Sequence, residues 1–404
     1  MKLLLLISMA IPASFSSKFL AAKSLLLGLT VVITLWEFLN RRFLSLKQTQ
    51  LTLLPLTAIS VMILDYALHS NLLFFAQAQL IFLTALGTWL VVQWGDSNRL
   101  SLNQMITLAV YGNILYALIK LSLLIGTWVG WVNPSKLAII FNIPITPLGI
   151  KGYLVRLQTP FDTPSPYLLF FVLHSQSLNL HLTRTKKYLF IGILLLNILT
   201  SFSRVLWAIG LYALFTSLWI SKSTPWKKVR RVCLCCIFSS FLLITLWEPI
   251  ESLVALRFTS QNAIESDDTR LNQIEALYEK CLQAPFLGSG LGSYAEDCIR
   301  DPEHPFNYEV QWLAYIMQTG LLGASLAALG GWLLLRNYIR FRISQIRIAL
   351  GVLVVLFLLS GWTNPYLFSL SSGILYGLFF LAERKTIDPL RDATYSSGML
   401  HPIV

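Results

Sequence analysis

Apolar residues run through this chain in stretches too long and too numerous for the core of a water-soluble domain. A helix crossing about 30 Å of hydrocarbon needs roughly 20 such residues. Twelve stretches reach or approach that length: Leu3–Ser14, Phe19–Leu39, Leu51–His69, Leu72–Trp94, Gln104–Val132, Tyr167–Leu182, Tyr188–Ser201, Val205–Ile220, Val232–Trp247, Glu309–Leu335, Ile348–Trp362 and Leu367–Ala382. Only 12% of the residues are charged, about half of the roughly 25% usual in soluble proteins, and too few to cover a water-facing surface. The expected fold is an all-α polytopic membrane protein of about 12 transmembrane helices. Soluble α/β folds, disordered scaffolds and disulfide mini-domains are excluded. The first stretch is short, and Met1–Lys2 before it with Ala13 near its end also fits a cleaved leader.

The formal net charge is +12. In a soluble domain that would suggest nucleic acid, but in a membrane protein basic residues gather in cytoplasmic loops, and no nucleic-acid partner is expected. With both ends inside, the inner connections hold most of the basic residues, among them Arg41, Arg42, Lys47, Arg184, Lys186, Lys187, Lys227, Lys228, Arg230, Arg231, Arg336, Arg340, Arg342 and Arg347. This orientation makes 1–247 nine spans with an outer loop at 133–166, 248–308 a long outer loop carrying the chemistry, 309–385 three more spans and 386–404 a cytoplasmic tail. Between Glu251 and Glu303 the long loop has ten acidic residues against four basic ones. Loops of this length are uncommon unless functional.

Within that loop, Asp267–Asp268–Thr269 has the residues of a helix start, with acids at the positive end of the helix dipole. Leu271, Ile274, Leu277, Tyr278, Cys281 and Leu282 follow at helical spacing and fall on one arc, with Arg270 at its edge. A cation in that position reaches toward lipid head groups or phosphates. Gly288, Gly290 and Gly292 alternate in a way that matches neither a dinucleotide fingerprint nor a phosphate loop, so a flexible turn is expected there. Cys281 and Cys298 share an outer segment in which a disulfide is allowed but not demanded. His304 sits in the acidic, polar end of the loop, where an imidazole with a pKa near 6.5 suits acid–base work. Glu309 stands at the mouth of the next span.

Other polar residues fall within or near the spans. From Tyr188 to Ser203 there are 16 residues, about 24 Å of helix, so Ser201–Phe202–Ser203–Arg204 turns before the outer surface. Arg204 is thereby placed at a recessed hairpin tip, where its natural partner is an anion supplied by a ligand. Asp65 and Lys120 both lie in outer halves of spans and are expected to pair with each other; the alternative for Lys120 is phosphate binding. No cluster of His, Cys or paired Asp has the spacing of a metal site, so neither a metal nor another cofactor is expected.

Taken in order, Ser201–Phe–Ser–Arg204, Arg270–Leu271, Pro285–Phe–Leu–Gly–Ser–Gly–Leu–Gly292, His304–Pro–Phe–Asn307 and Gln318–Thr–Gly–Leu–Leu–Gly323 resemble the O-antigen ligase family. The likeness covers roughly Tyr188 to Ala382. It departs from the pattern at Phe306, where many relatives carry a second His, and in the length between Ala314 and Gln318. The resemblance implies a metal-independent, inverting glycosyltransferase that moves a glycan from undecaprenyl diphosphate onto lipid A-core or another glycan acceptor. The reaction would take place among membrane lipids at the periplasmic face of the bacterial inner membrane. It implies phosphate contacts from Arg204 and Arg270, and a catalytic base at His304 with Glu309 in reserve. Asn307 lies in the same motif and is expected to bind substrate, with Lys120 a further substrate-binding candidate. Polymerases of O-antigen and exopolysaccharide share the family. A secondary transporter is the alternative of another class, disfavoured because the polar residues concentrate outside and the two halves do not match.

Overall fold

A computed structural model describes residues 1–10, 17–40, 46–97, 99–133, 146–148, 154–156, 162–178, 180–220, 226, 261–299, 304–340, 344–362 and 367–396. In chain order its helices are α1 (Lys2–Ala10), α2 (Ser17–Asn40), α3 (Leu46–His69), α4 (Phe74–Asp96), α5 (Leu102–Trp128), α6 (Pro164–Leu173), α7 (Arg184–Thr200), α8 (Arg204–Ile220), α9 (Gln261–Gln283), α10 (Gln311–Arg340), α11 (Gln345–Leu359) and α12 (Leu370–Ser396). The only strands among the described residues are two short ones, β1 (Thr146–Leu148) and β2 (Leu154–Arg156), paired antiparallel with Thr146 opposite Arg156. Four helical segments among the described residues are long and apolar enough to cross a membrane: Phe74–Asp96, Leu102–Thr127, Gln311–Leu329 and Gln345–Trp362. The expected span Val232–Trp247 lies outside the described residues, as does the first part of the long outer loop.

The core is organised around α6. Tyr167, Leu168, Leu169, Phe170, Phe171 and Val172 are all fully buried, so this helix is apolar on every side and enclosed by its neighbours α5, α7, α8 and α12. The span expected from the sequence runs on to Leu182. Instead the helix ends at Leu173 and the chain turns through His174–Leu178, leaving ten residues, about 15 Å, which is too short to cross alone. Helix α1 packs on α5, with Leu4, Leu5 and Met9 buried. The α4–α12 contact is close enough that a Cβ on Gly373 would lie 2.3 Å from the Thr84 carbonyl oxygen.

Helix α9 begins at Gln261, six residues ahead of the expected start at Asp267. Asp267 is therefore an interior residue of the helix, and its carboxylate is held by arginines rather than capping backbone N–H groups. The apolar arc is also divided. Leu277 is buried, with Gln273 beside it on the packed face, whereas Leu271, Ile274, Tyr278 and Leu282 remain exposed. One face of α9 covers the bundle through Leu277, Tyr308, Ala314 and Met317, and the other is an uncovered apolar stripe.

The glycine-rich segment after α9 is a rigid joint, not the flexible turn expected. Helix α10 is broken at Gly320, whose φ is 62° and ψ −166°. An unbroken helix would bond the Met317 carbonyl to the Leu321 N–H and the Gln318 carbonyl to the Leu322 N–H. The loop takes all four groups instead. Ser289 N–H donates to Met317 O (2.9 Å) and Gly290 N–H to Gln318 O (2.9 Å), while Leu321 N–H donates to Pro285 O (2.9 Å) and Leu322 N–H to Phe286 O (3.2 Å). The insertion needs glycine on both sides. A Cβ on Gly288 would lie 2.2 Å from Gln318 O, and one on Gly320 2.4 Å from Phe286 O. Two neighbouring N–H groups are also satisfied, Leu291 by Asp65 Oδ2 (2.9 Å) and Gly292 by Gln77 Oε1 (2.5 Å).

Candidate active site

The tip between α7 and α8 is tight and buried. Ser201, Phe202 and Ser203 are all inaccessible, Phe202 adopts the left-handed region at φ 50°, and the Ser201 hydroxyl accepts from Ser203 N–H at 3.3 Å. Left-handed backbone at a bulky residue persists only where the surroundings enforce it. Here the enforced turn makes Arg204 the first residue of α8. A cation at the positive end of a helix is unfavourable for the helix itself. A helix N-terminus and a guanidinium together do, however, form a place that draws an anion.

The Arg204 side chain holds an anion, the Asp267 carboxylate. Arg204 holds it with its fork, Nη2 to Oδ1 at 2.5 Å and Nη1 to Oδ2 at 3.2 Å. Arg270, one turn further along α9, donates Nη1 to the same Oδ1 at 2.6 Å. The Arg270 Nε lies 2.5 Å from Glu309 Oε2, and Glu309 N–H donates to Gln273 Oε1 at 3.0 Å. Arg204, Arg270 and Glu309 thus meet from three separate elements. Their side chains are 29%, 19% and 14% exposed, against 49% for Asp267. The hydrogen bond from Arg204, with the charges of both arginines, holds the Asp267 carboxyl below the usual carboxylate range.

The remaining candidates lie outside this group. His304 is exposed on a turn in which Asn307 N–H donates to its carbonyl at 2.9 Å, and its ring lies 5.8 Å from that of Phe306. Among the described residues no carboxylate bonds its imidazole. Phe306 and Tyr308 anchor this turn in the interior; the Tyr308 hydroxyl accepts from Ala295 N–H at 2.7 Å, and burial pushes its pKa up to about 12. Lys120 does not pair with Asp65. It is fully buried and bonded to Asp162 Oδ1 at 2.8 Å, beside Tyr116 one turn away on α5. Asp65 instead sits 3.3 Å from His69 Nδ1 and binds the glycine loop. Cys281 and Cys298 are free thiols.

Sequence reasoning missed Asp267 and Gln273 as members of the site. The spacing of Asp267 to Arg270 is that of a helical i, i+3 ion pair and was legible. The contact from Arg204, 63 residues earlier in the chain, carries no local signal.

The O-antigen ligase family model matches residues 167–328. This segment is similar to the O-antigen ligase family over about two fifths of the chain. It contains Arg204, Asp267, Arg270, His304, Asn307 and Glu309, together with the helix break at Gly320, while Lys120 and Asp65 lie before it. The O-antigen ligase match supports a membrane glycosyltransferase of the ligase or polymerase type. Comparison with curated proteins and with solved structures finds no match.

Proposed function

We propose that this chain is an O-antigen ligase that transfers a glycan from undecaprenyl diphosphate to lipid A-core at the periplasmic face of the bacterial inner membrane. The observation that carries the reading is the convergence of Arg204, the first residue of α8, and Arg270 on one carboxylate. Breaking the anomeric bond leaves negative charge on the lipid diphosphate, and preorganised cations stabilise that charge as it develops. Two guanidinium forks, one from the first residue of α8 and one from within α9, supply the stabilisation without metal. Glu309, in contact with Arg270, orients that fork. His304, on the exposed turn five residues before it, takes the proton of the acceptor hydroxyl as the hydroxyl attacks from the face opposite the leaving group, which inverts the anomeric centre. Asn307 binds the sugar beside it. The exposed apolar stripe of α9 faces membrane lipid.

A deletion strain tests the function directly. Loss of all O-antigen from the surface lipid is the expected result. Attachment of single repeat units would assign the chain as a polymerase instead, and an unchanged glycan with altered solute uptake would assign it as a carrier. Transfer by the purified protein in excess chelator tests the metal-free mechanism. For the base, His304→Ala should slow transfer about 10²–10⁴-fold with donor binding retained. Normal transfer by that variant, with Glu309→Gln inactive yet still binding donor, would move the role to Glu309.

A further inference from the structure

Asp267 occupies the position that an anionic ligand of the two arginines would take. Its Oδ1 receives both Arg204 and Arg270, and its Oδ2 completes the bidentate contact with Arg204. This is the pattern in which guanidinium forks bind phosphate oxygens. The side chain that fills it is 49% exposed and stands on a helix whose adjoining residue, Asp268, is also exposed. It can therefore swing into water by side-chain rotation alone, with α9 left in place. The arginines are less accessible and are held at the start of α8 and against Glu309.

Resting on the reading of Arg204 and Arg270 as donor-phosphate ligands, we propose that Asp267 is a built-in competitor for the diphosphate site. With no donor bound it accepts hydrogen bonds from both guanidiniums. A diphosphate carries more charge and more acceptor oxygens than one carboxylate and displaces it. After transfer the carboxylate returns and speeds release of the spent lipid diphosphate. A site closed part of the time by its own side chain binds every ligand more weakly, in proportion to the fraction that is open. A plain supporting ion pair would act in the opposite direction, because its loss would loosen the arginines and weaken binding.

The test is the affinity of the purified full-length protein for inorganic pyrophosphate, measured calorimetrically in detergent for the wild type, Asp267→Asn, Asp267→Ser and Asp267→Glu. The expected result is a pyrophosphate Kd lowered about fivefold or more in the Asn and Ser variants, with the Glu variant close to wild type. The rise in melting temperature at saturating pyrophosphate, compared with the same protein without it, should also be larger for Asp267→Asn, and this holds even where the variant starts less stable. Wild type that binds pyrophosphate, with Asn and Ser variants that bind it no better, overturns the competitor and leaves the reading of the arginines standing. If neither the wild type nor the variants bind pyrophosphate, both fail together.

Discussion

One oxygen atom, Oδ1 of Asp267, accepts from two arginines, and the residue-scale behaviour of the site follows from that geometry. A lysine in place of either arginine keeps the charge but loses the fork. Arg204→Lys and Arg270→Lys should therefore lose most transfer activity at normal expression, and full activity in both Arg→Ala variants would remove the arginines from the mechanism. Acid should reach the same ion pairs only late. Because the folded-state carboxyl of Asp267 is depressed, its contribution to stability is present above the ordinary carboxylate value of about 3.9 and is lost as pH falls through the lower folded value. The difference in melting temperature between wild type and Asp267→Asn should be constant from pH 7 to about 5 and shrink below the ordinary carboxylate value. The arginines could be read from the sequence because a charge near apolar surroundings is conspicuous. The i, i+3 spacing of Asp267 to Arg270 was legible as well, but its contact with Arg204, 63 residues away in the chain, was not.

At the scale of the element, the glycine loop and the break in α10 are two halves of one joint. The sequence marks both halves, as alternating glycines from Gly288 to Gly292 and as Gln318–Thr–Gly–Leu–Leu–Gly323, but not that each takes the other's backbone hydrogen bonds. Such pairing depends on which carbonyls the break exposes, and no side-chain pattern reports that. Gly288→Ala and Gly320→Ala should each destabilise the protein by about 1–3 kcal/mol from backbone strain alone, with more from the close approach of Gln318 O and Phe286 O. Thermal unfolding in detergent measures the loss, and unchanged stability in both variants would show that the joint tolerates side chains. The helix period of α9 was equally legible, whereas its division into a covered face and an open one depended on what packs against Leu277.

Across the whole molecule, long apolar runs announce the bundle, and most of the expected spans fall on helices. Their partners were not legible, as Lys120 shows. Asp65 and Lys120 both looked like lone charges at similar depth, yet each found another partner: Asp162 before α6 for Lys120, and His69 one turn along α3 for Asp65. Pairing between spans depends on their order around the bundle, which hydropathy does not encode. Removing one member of the enclosed pair leaves the other charged without its counter-ion, so Lys120→Met or Asp162→Leu should each destabilise by about 3–5 kcal/mol. The double variant should recover much of that loss. Folded yield and melting temperature check the cycle, and single variants as stable as wild type would show that the pair contributes nothing.

Arg270 stands on α9, where Arg204 meets it across Asp267, and the outward side of that helix carries Leu271, Ile274, Tyr278 and Leu282. For a donor tethered to lipid, such a side places the approach to the reactive groups in the plane of the bilayer rather than through water. Encounter then becomes a two-dimensional search, and the relevant donor concentration is molecules per unit area. Dilution with inert lipid at fixed total donor should slow transfer, while dilution of the whole suspension with buffer should leave the rate per enzyme unchanged.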